Sequence, residues 1–306
     1  MAYFQLCNIF AKKISRMRIV GLGNALTDVL ARLHSDECFD EMGLLKGGMQ
    51  LIDEEKLLRI MSVFEGLETT LASGGSAANA VSGVARMGIE SGFIGKIGRD
   101  AYGRFFREDM ERNGVQTLLI EGEQASGCAM TMITPDGERT FGTFLGAAAT
   151  LCAEELSAEM FEGYDILHIE GYLVQDTSLI LRAVQLAKEV GLSVSFDMAS
   201  YNVVKDNYAI IRDLVENYVD ILFANEEEAL AYTGEEPRKA TEILSRYCRI
   251  AVVKCGAQGS FVGCEGIITE VPATPEVRVD STGAGDLYAS GFLYGLSQNC
   301  SLGVCG

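Results

Sequence analysis

Short β-rich runs and helical patterns take turns along most of this 306-residue chain, and few folds can hold that rhythm. The runs 17–23, 92–97, 165–169, 192–197, 219–224 and 249–255 are dense in Val, Ile, Leu and Phe. Between them, apolar residues recur at helical spacing over 54–65, 77–87, 103–113, 176–190, 207–217, 225–232 and 238–247. Strands separated by helices cannot pair as hairpins; each must cross over and return parallel. The expectation is a three-layer α/β/α fold, with a mostly parallel sheet covered on both faces.

The rhythm breaks once. Runs 115–121, 128–134 and 139–144 follow one another with no helix between them, and Pro135-Asp136-Gly137 has the composition of a hairpin turn. They predict a small β-lid drawn from about 31–51 and 115–145. No repeat, low-complexity tract or linker divides the chain, so one α/β domain is expected over 17–306, with 1–16 as an N-terminal extension. That extension carries basic and apolar residues without the order of a signal peptide.

Composition removes several classes of function. A formal charge of −18 opposes nucleic acid and anionic membrane surfaces as partners. It does not oppose a nucleotide, whose binding is decided locally. No run reaches the roughly 18 apolar residues of a membrane span. Nine cysteines with no C-x-x-C spacing read as reduced core residues of a cytoplasmic protein. Two histidines, His34 and His168, are too few for a His-rich metal site, and His168 lies within a strand-like run, where packing is its expected role.

Two glycine-rich helix starts, about two hundred residues apart, carry the chemistry. In the run 280–292, Gly283, Ala284 and Gly285 open an apolar helix with Asp286 in its first turn. A helix N-terminus offers unpaired N–H groups and partial positive charge, and small side chains let a phosphate approach them. A carboxylate there suits either a helix cap or a base that takes a proton from a group attacking the phosphate. In 71–80, Gly74-Gly75-Ser76 opens a second helix, with Asn79 able to present its amide to a hydroxylated ligand. Such a pair suits one polyol and one phosphate chain. Gly21-Leu-Gly23 lacks the third glycine of a dinucleotide fingerprint, and no P-loop sequence is present.

These two segments resemble the paired signatures of the ribokinase-like (PfkB) family of sugar and nucleoside kinases. Gly23-Asn24 with Asp28, Asn225-Glu226-Glu227-Glu228, and 254–259 stand in that family's order. The resemblance implies a kinase using ATP and Mg²⁺, and in many relatives a monovalent cation such as K⁺. It implies Asp286 as general base, with an anion hole at Gly283, Ala284 and Gly285, and weakly Asp280 beside the monovalent cation. Asn225 and Glu228 would organise Mg²⁺ through water, although three glutamates opening a helix also suit its dipole. Asp197, at a strand end, would join them. Lys254, Gly256 and Gly259 would contact the nucleotide, or form a plain strand-to-strand turn.

For the acceptor, the resemblance implies Asn24, Asp28, Gly75 and Asn79. Ser76 after the paired glycines is similar to adenosine kinases, as are 126–129, 145–149, Gly171-Tyr172 and 220–226. Cys128, Phe144, Leu145 and Tyr172 could wall a flat base or pack the lid core, whereas Glu170 matches a carboxylate that some ribose kinases place on the sugar. The expected acceptor is an adenosine-like nucleoside, with ribose or fructose as the alternative, and the protein a monomer or homodimer. Family members continue for some thirty residues beyond the helix after Asp286. That makes a truncated C-terminus, and with it a catalytically impaired binder, a further expectation.

Overall fold

A computed structural model describes residues 17–275 and 283–306. The strands are β1 (Ile19–Leu22), β2 (Leu26–Arg32), β3 (Gly48–Leu51), β4 (Thr69–Gly74), β5 (Ser91–Gly98), β6 (Val115–Gly122), β7 (Gly127–Ile133) and β8 (Arg139–Phe144). They continue as β9 (Ile166–Glu170), β10 (Ser193–Asp197), β11 (Ile221–Asn225), β12 (Ile250–Lys254), β13 (Ser260–Cys264) and β14 (Ile267–Val271). Among the described residues they form a nine-stranded sheet, ordered β14-β13-β12-β11-β10-β9-β1-β5-β6, and a five-stranded one, ordered β3-β8-β7-β2-β4. The large sheet is parallel from β12 to β6 and ends in the antiparallel hairpin β13–β14.

Both faces of the large sheet are buried, as strands with few polar residues require. Alternate residues sort to opposite sides. Val20, Leu22, Leu167, Ile169, Val194 and Phe196 meet one helical layer, including helices Thr177–Glu189, Tyr208–Asn217 and Pro237–Leu244. Ile19, Phe93, Ile166, Ile221 and Phe223 meet the other, made of helices Ser76–Arg86, Ala101–Arg112 and Ala284–Ser297. This is the expected three-layer architecture. The small sheet buries Val29, Ala31, Met130 and Met132 against helices Cys38–Met42 and Glu54–Phe64. Its other face, carrying Leu26, Asp28, Met49, Leu51, Phe141 and Thr143, looks into a cleft.

The lid differs from its expected extent. Val115–Gly122 is an edge strand of the large sheet, parallel to β5, because its residues continue the register Ser91↔Val115 through Gly98↔Gly122. The lid instead begins at Leu26 and recruits β4, which pairs antiparallel with β2. The hairpin at Pro135-Asp136-Gly137 is present between β7 and β8, closed by Thr134 N–H donating to the Glu138 carbonyl at 3.0 Å. The N-terminal extension lies outside the described residues.

Candidate active site

The chain leaves β1 toward β5 on one side and returns through β9 on the other, so the strand order reverses beside β1. Open α/β sheets bind ligands at such a point, beyond the carboxyl ends of the strands. The polar residues gather there. Asn24 follows β1, and Glu170, Asp197, Asn225 and Lys254 are the last residues of β9, β10, β11 and β12. The N-termini of helices Ser76–Arg86 and Ala284–Ser297 close the same space, and the lid stands over it. The cleft holds about 2030 Å³, beyond the roughly 300–1,000 Å³ of single-ligand sites, so two ligands fit together.

Asp286 sits in the first turn of its helix, behind Gly283 at φ 70°. Its Oδ1 accepts from Ser76 Oγ at 2.8 Å and its Oδ2 from Asn79 Nδ2 at 2.9 Å. Burial raises its pKa to about 6 against those two donors, so the helix dipole alone does not set its charge. Asp28, from β2, faces the same space. Burial, then the charge of Asp286, pushes it to about 6. No other described residue donates a hydrogen bond to it, so its lone pairs face the cleft.

Glu170 is fully buried and accepts from Asn24 N–H at 2.8 Å, Asn24 Nδ2 at 2.5 Å and Ala77 N–H at 3.1 Å. It ties the loop after β1 to the helix after β4, and burial raises it to about 7 despite three donors. Gly75 is the joint between them. At φ 101° a Cβ there would overlap the Asn24 carbonyl oxygen, so the approach requires glycine.

Lys254 and Asp197 form a pair at 2.8 Å, with side chains 15% and 10% exposed. Burial alone would raise the Asp197 pKa, but the Lys254 charge and hydrogen bond hold it below the usual carboxylate range. Burial would likewise lower Lys254, and Asp197 outweighs it. Lys254 Nζ stands 3.2 Å from where a Cβ of Gly285 would be, which puts an ammonium beside the proposed anion hole. It is the only cation among the described residues lining the cleft.

Asn225 and Glu228 form a reciprocal capping box. Asn225 Oδ1 accepts from Glu228 N–H at 2.9 Å, and Glu228 accepts from Asn225 N–H and Nδ2, each at 2.7 Å. Both also line the cleft. Gly256 and Gly259 form the turn joining β12 to β13, with Cys255 N–H donating to the Gly259 carbonyl at 2.7 Å, and they line the cleft as well.

Tyr172 and Leu145 reach the cleft, with Ala148, Ala149 and Phe141 near them. Cys128 and Phe144 belong to the lid core instead, since alternation along β7 and β8 turns them to its packed face. His168 is buried, with Nδ1 2.9 Å from Ser195 Oγ, and burial lowers it to about 4, as a packing residue. Asp280 lies outside the described residues. Ser76 and the Lys254–Asp197 pairing are what the sequence reading missed. The first had no partner in view until Asp286 folded against it, and the second joins residues 57 apart.

A model of the pfkB family carbohydrate kinases matches residues 42–305. The chain belongs to that family. Among solved structures, adenosine kinase from Sinorhizobium meliloti is 32% identical with a TM-score of 0.82, covering 95% of this chain and 90% of its own. Fructokinase from Klebsiella pneumoniae is 29% identical over 242 residues, 74% of this chain and 77% of its own. A 5-dehydro-2-deoxygluconokinase from Listeria monocytogenes is 30% identical over 286 residues, 88% of this chain and 87% of its own. This pfkB-family protein is therefore a phosphotransferase of the sugar and nucleoside kinase type, and ATP use follows from the family.

The cleft suits the Mg²⁺ that such kinases typically use. Asp197, Glu228 and Asp286 bring three carboxylates against one ammonium, and burial with the Asp197 charge pushes Glu228 to about 7. A divalent cation would offset that excess. Among the described residues no group of three His, Cys, Asp or Glu side chains is placed to hold a metal directly.

Proposed function

We propose that this kinase transfers the γ-phosphoryl group of ATP to a primary hydroxyl of a neutral polyol, an adenosine-like nucleoside fitting best. The observation that carries the mechanism is the position of Asp286, at a helix N-terminus between the bare backbone of 283–285 and the unpartnered carboxylate of Asp28. Asp28 and Asn24 orient the acceptor. Asp286 accepts its hydroxyl proton as the oxygen forms its bond to the γ-phosphorus, and the bond to the β,γ-bridging oxygen breaks to release ADP. The N–H groups of Gly283, Ala284 and Gly285, with Lys254 beside them, stabilise the charge on the transferring group. Bound Mg²⁺ would neutralise phosphate charge, with Asn225 and Glu228 orienting its waters. Gly256 and Gly259 line the side on which the nucleotide would rest. The lid excludes water, which would otherwise hydrolyse ATP.

Charge argues for a neutral acceptor. Asp28, Glu170, Asp176 and Asp206 line the cleft, and Lys254 is its one cation among the described residues. A carboxylate or phosphate on the acceptor would meet that acidity unpaired, which speaks against the sugar acid named for the Listeria relative. The apolar faces of Leu26, Phe141, Leu145 and Tyr172 suit a purine. A neutral ketose is the second reading, supported by the fructokinase relative.

The test is ADP release with ATP and Mg²⁺ across adenosine, inosine, ribose, fructose and fructose 1-phosphate, beside Asp286→Asn. Turnover with one neutral acceptor, falling by about 10²-fold or more in the variant, is expected. Acceptor binding without turnover would identify a binder, and preference for fructose 1-phosphate would overturn the charge argument.

A further inference from the structure

We infer that Ser76 and Asn79 are positioning residues for Asp286, gripping one carboxylate oxygen each and fixing which lone pairs face the acceptor. The inference rests on the reading of Asp286 as the base. Both donors come from the first turn of helix Ser76–Arg86, 210 and 207 residues away in sequence. An aspartate carboxylate otherwise rotates broadly about its last torsion. One protein donor on each oxygen stops that rotation and leaves a free lone pair on each for the attacking hydroxyl.

The two helices are locked together behind this grip. Ser290, one turn beyond Asp286, donates from Oγ to the Ala80 carbonyl at 2.8 Å. Gly83 permits the approach, since a Cβ there would overlap Ser290 Oγ. The donors and the carboxylate therefore keep one register. Asn79 thus points its amide at the base rather than only at the acceptor, and its Oδ1 has no donor among the described residues.

The grip also governs charge. Asp286 feels the carboxylates of Asp28 on β2, Glu170 on β9 and Asp197 on β10, Lys254 on β12, and Tyr172 beside Glu170. Burial and these carboxylates favour its protonated form. Lys254 and the two donors oppose them. Hydrogen bonds to a carboxylate favour the ionised, proton-accepting state.

The experiment compares wild type, Ser76→Ala, Ser76→Thr and Asp286→Asn from pH 5 to 9. Carbon-13 aspartate carboxyl titration is read by NMR, with Asp286→Asn identifying the signal, alongside kcat/KM for adenosine or fructose at saturating ATP. In Ser76→Ala the Asp286 midpoint and the acid limb of the rate profile should both rise by about one pH unit. Ser76→Thr, which keeps the hydroxyl, should restore both. A midpoint unmoved in Ser76→Ala overturns the inference, as does an equal rate loss at every pH that threonine does not repair. If Asp286→Asn retains full turnover, the base reading itself falls, and the inference with it. A flat Ser76→Ala profile beside a dead Asp286→Asn sinks the inference alone.

Discussion

Replacing Lys254 by methionine removes the one cation that the described residues bring to the cleft while keeping most of the side-chain volume. The loss is therefore mainly one of charge. Asp197, 10% exposed beside Lys254, then keeps among the described residues one hydrogen-bond donor, Ala199 N–H at 3.0 Å. Stranding one member of a buried pair costs about 3–5 kcal/mol. At about 2.1 cal/mol/K of unfolding entropy per residue, a chain of this length should lose roughly 5–8 °C in Tm. The sign with pH is fixed. In the wild type the depressed Asp197 pKa stabilises the fold above the usual carboxylate range, and that contribution is lost as pH falls through it. In the variant, burial raises Asp197, so its penalty is full near neutrality and is relieved as pH falls toward 4. The Tm gap between the two proteins must narrow on acidification. Calorimetry at pH 7.5 and 4.5 reads this directly. Adding Asp197→Asn to Lys254→Met should recover at least half of the loss, because the stranded charge is gone. A Tm drop below about 2 °C, or a double variant no better than Lys254→Met, would refute the argument. ADP release should fall by about 10²-fold as well, the scale of losing one group that stabilises transition-state charge.

Two further outcomes follow from the same geometry. Asp28→Asn should separate stability from activity. A buried carboxylate raised from 3.8 to about 6 destabilises the fold above pH 6, by about 2–3 kcal/mol from roughly 1.4 kcal/mol per pKa unit, and the strain disappears as pH falls to 4. The variant should therefore melt higher than wild type at pH 7.5 while its acceptor KM rises by about tenfold or more; a lower Tm would contradict the buried-charge reading. Gly75→Ala must move the Asn24 carbonyl oxygen, so Tm should fall by several degrees and acceptor KM should rise more than ATP KM. An unchanged ratio of the two constants would separate this joint from the acceptor site.

Much of this was legible in the sequence because periodicity reports burial. Strands such as Ile221–Asn225, with every residue but the last fully buried, have only one place to go in an α/β fold. Boundaries blurred where burial on one side looks like burial on another. Val115–Gly122 reads as a lid strand because no helix separates it from β7, yet it pairs with β5 at the edge of the large sheet and is only partly buried there. β4 was missed because its sequence, Thr69-Thr-Leu-Ala-Ser-Gly74, carries little apolar signal and is mostly exposed; pairing with β2 makes it a strand. Of the site, the glycines and Asp286 announce themselves through local helix-start chemistry. Glu170 was legible as a residue but not as a fastener of Asn24 to Ala77, since those partners lie 146 and 93 residues away.

The carboxylates of the cleft explain one another. Asp28, Glu170, Glu228 and Asp286 all titrate above their ordinary values because each is buried and has an acidic neighbour. Such a cluster is costly in the empty protein, and in the large sheet Asp197 with Lys254 offsets only part of it. Nucleotide phosphates alone would add negative charge and worsen the balance. A divalent cation arriving with them would cancel about half of that added charge, so metal and nucleotide should bind as a unit. On the proposed mechanism, the same imbalance that weakens the empty fold would favour a neutral acceptor and a metal-bound nucleotide.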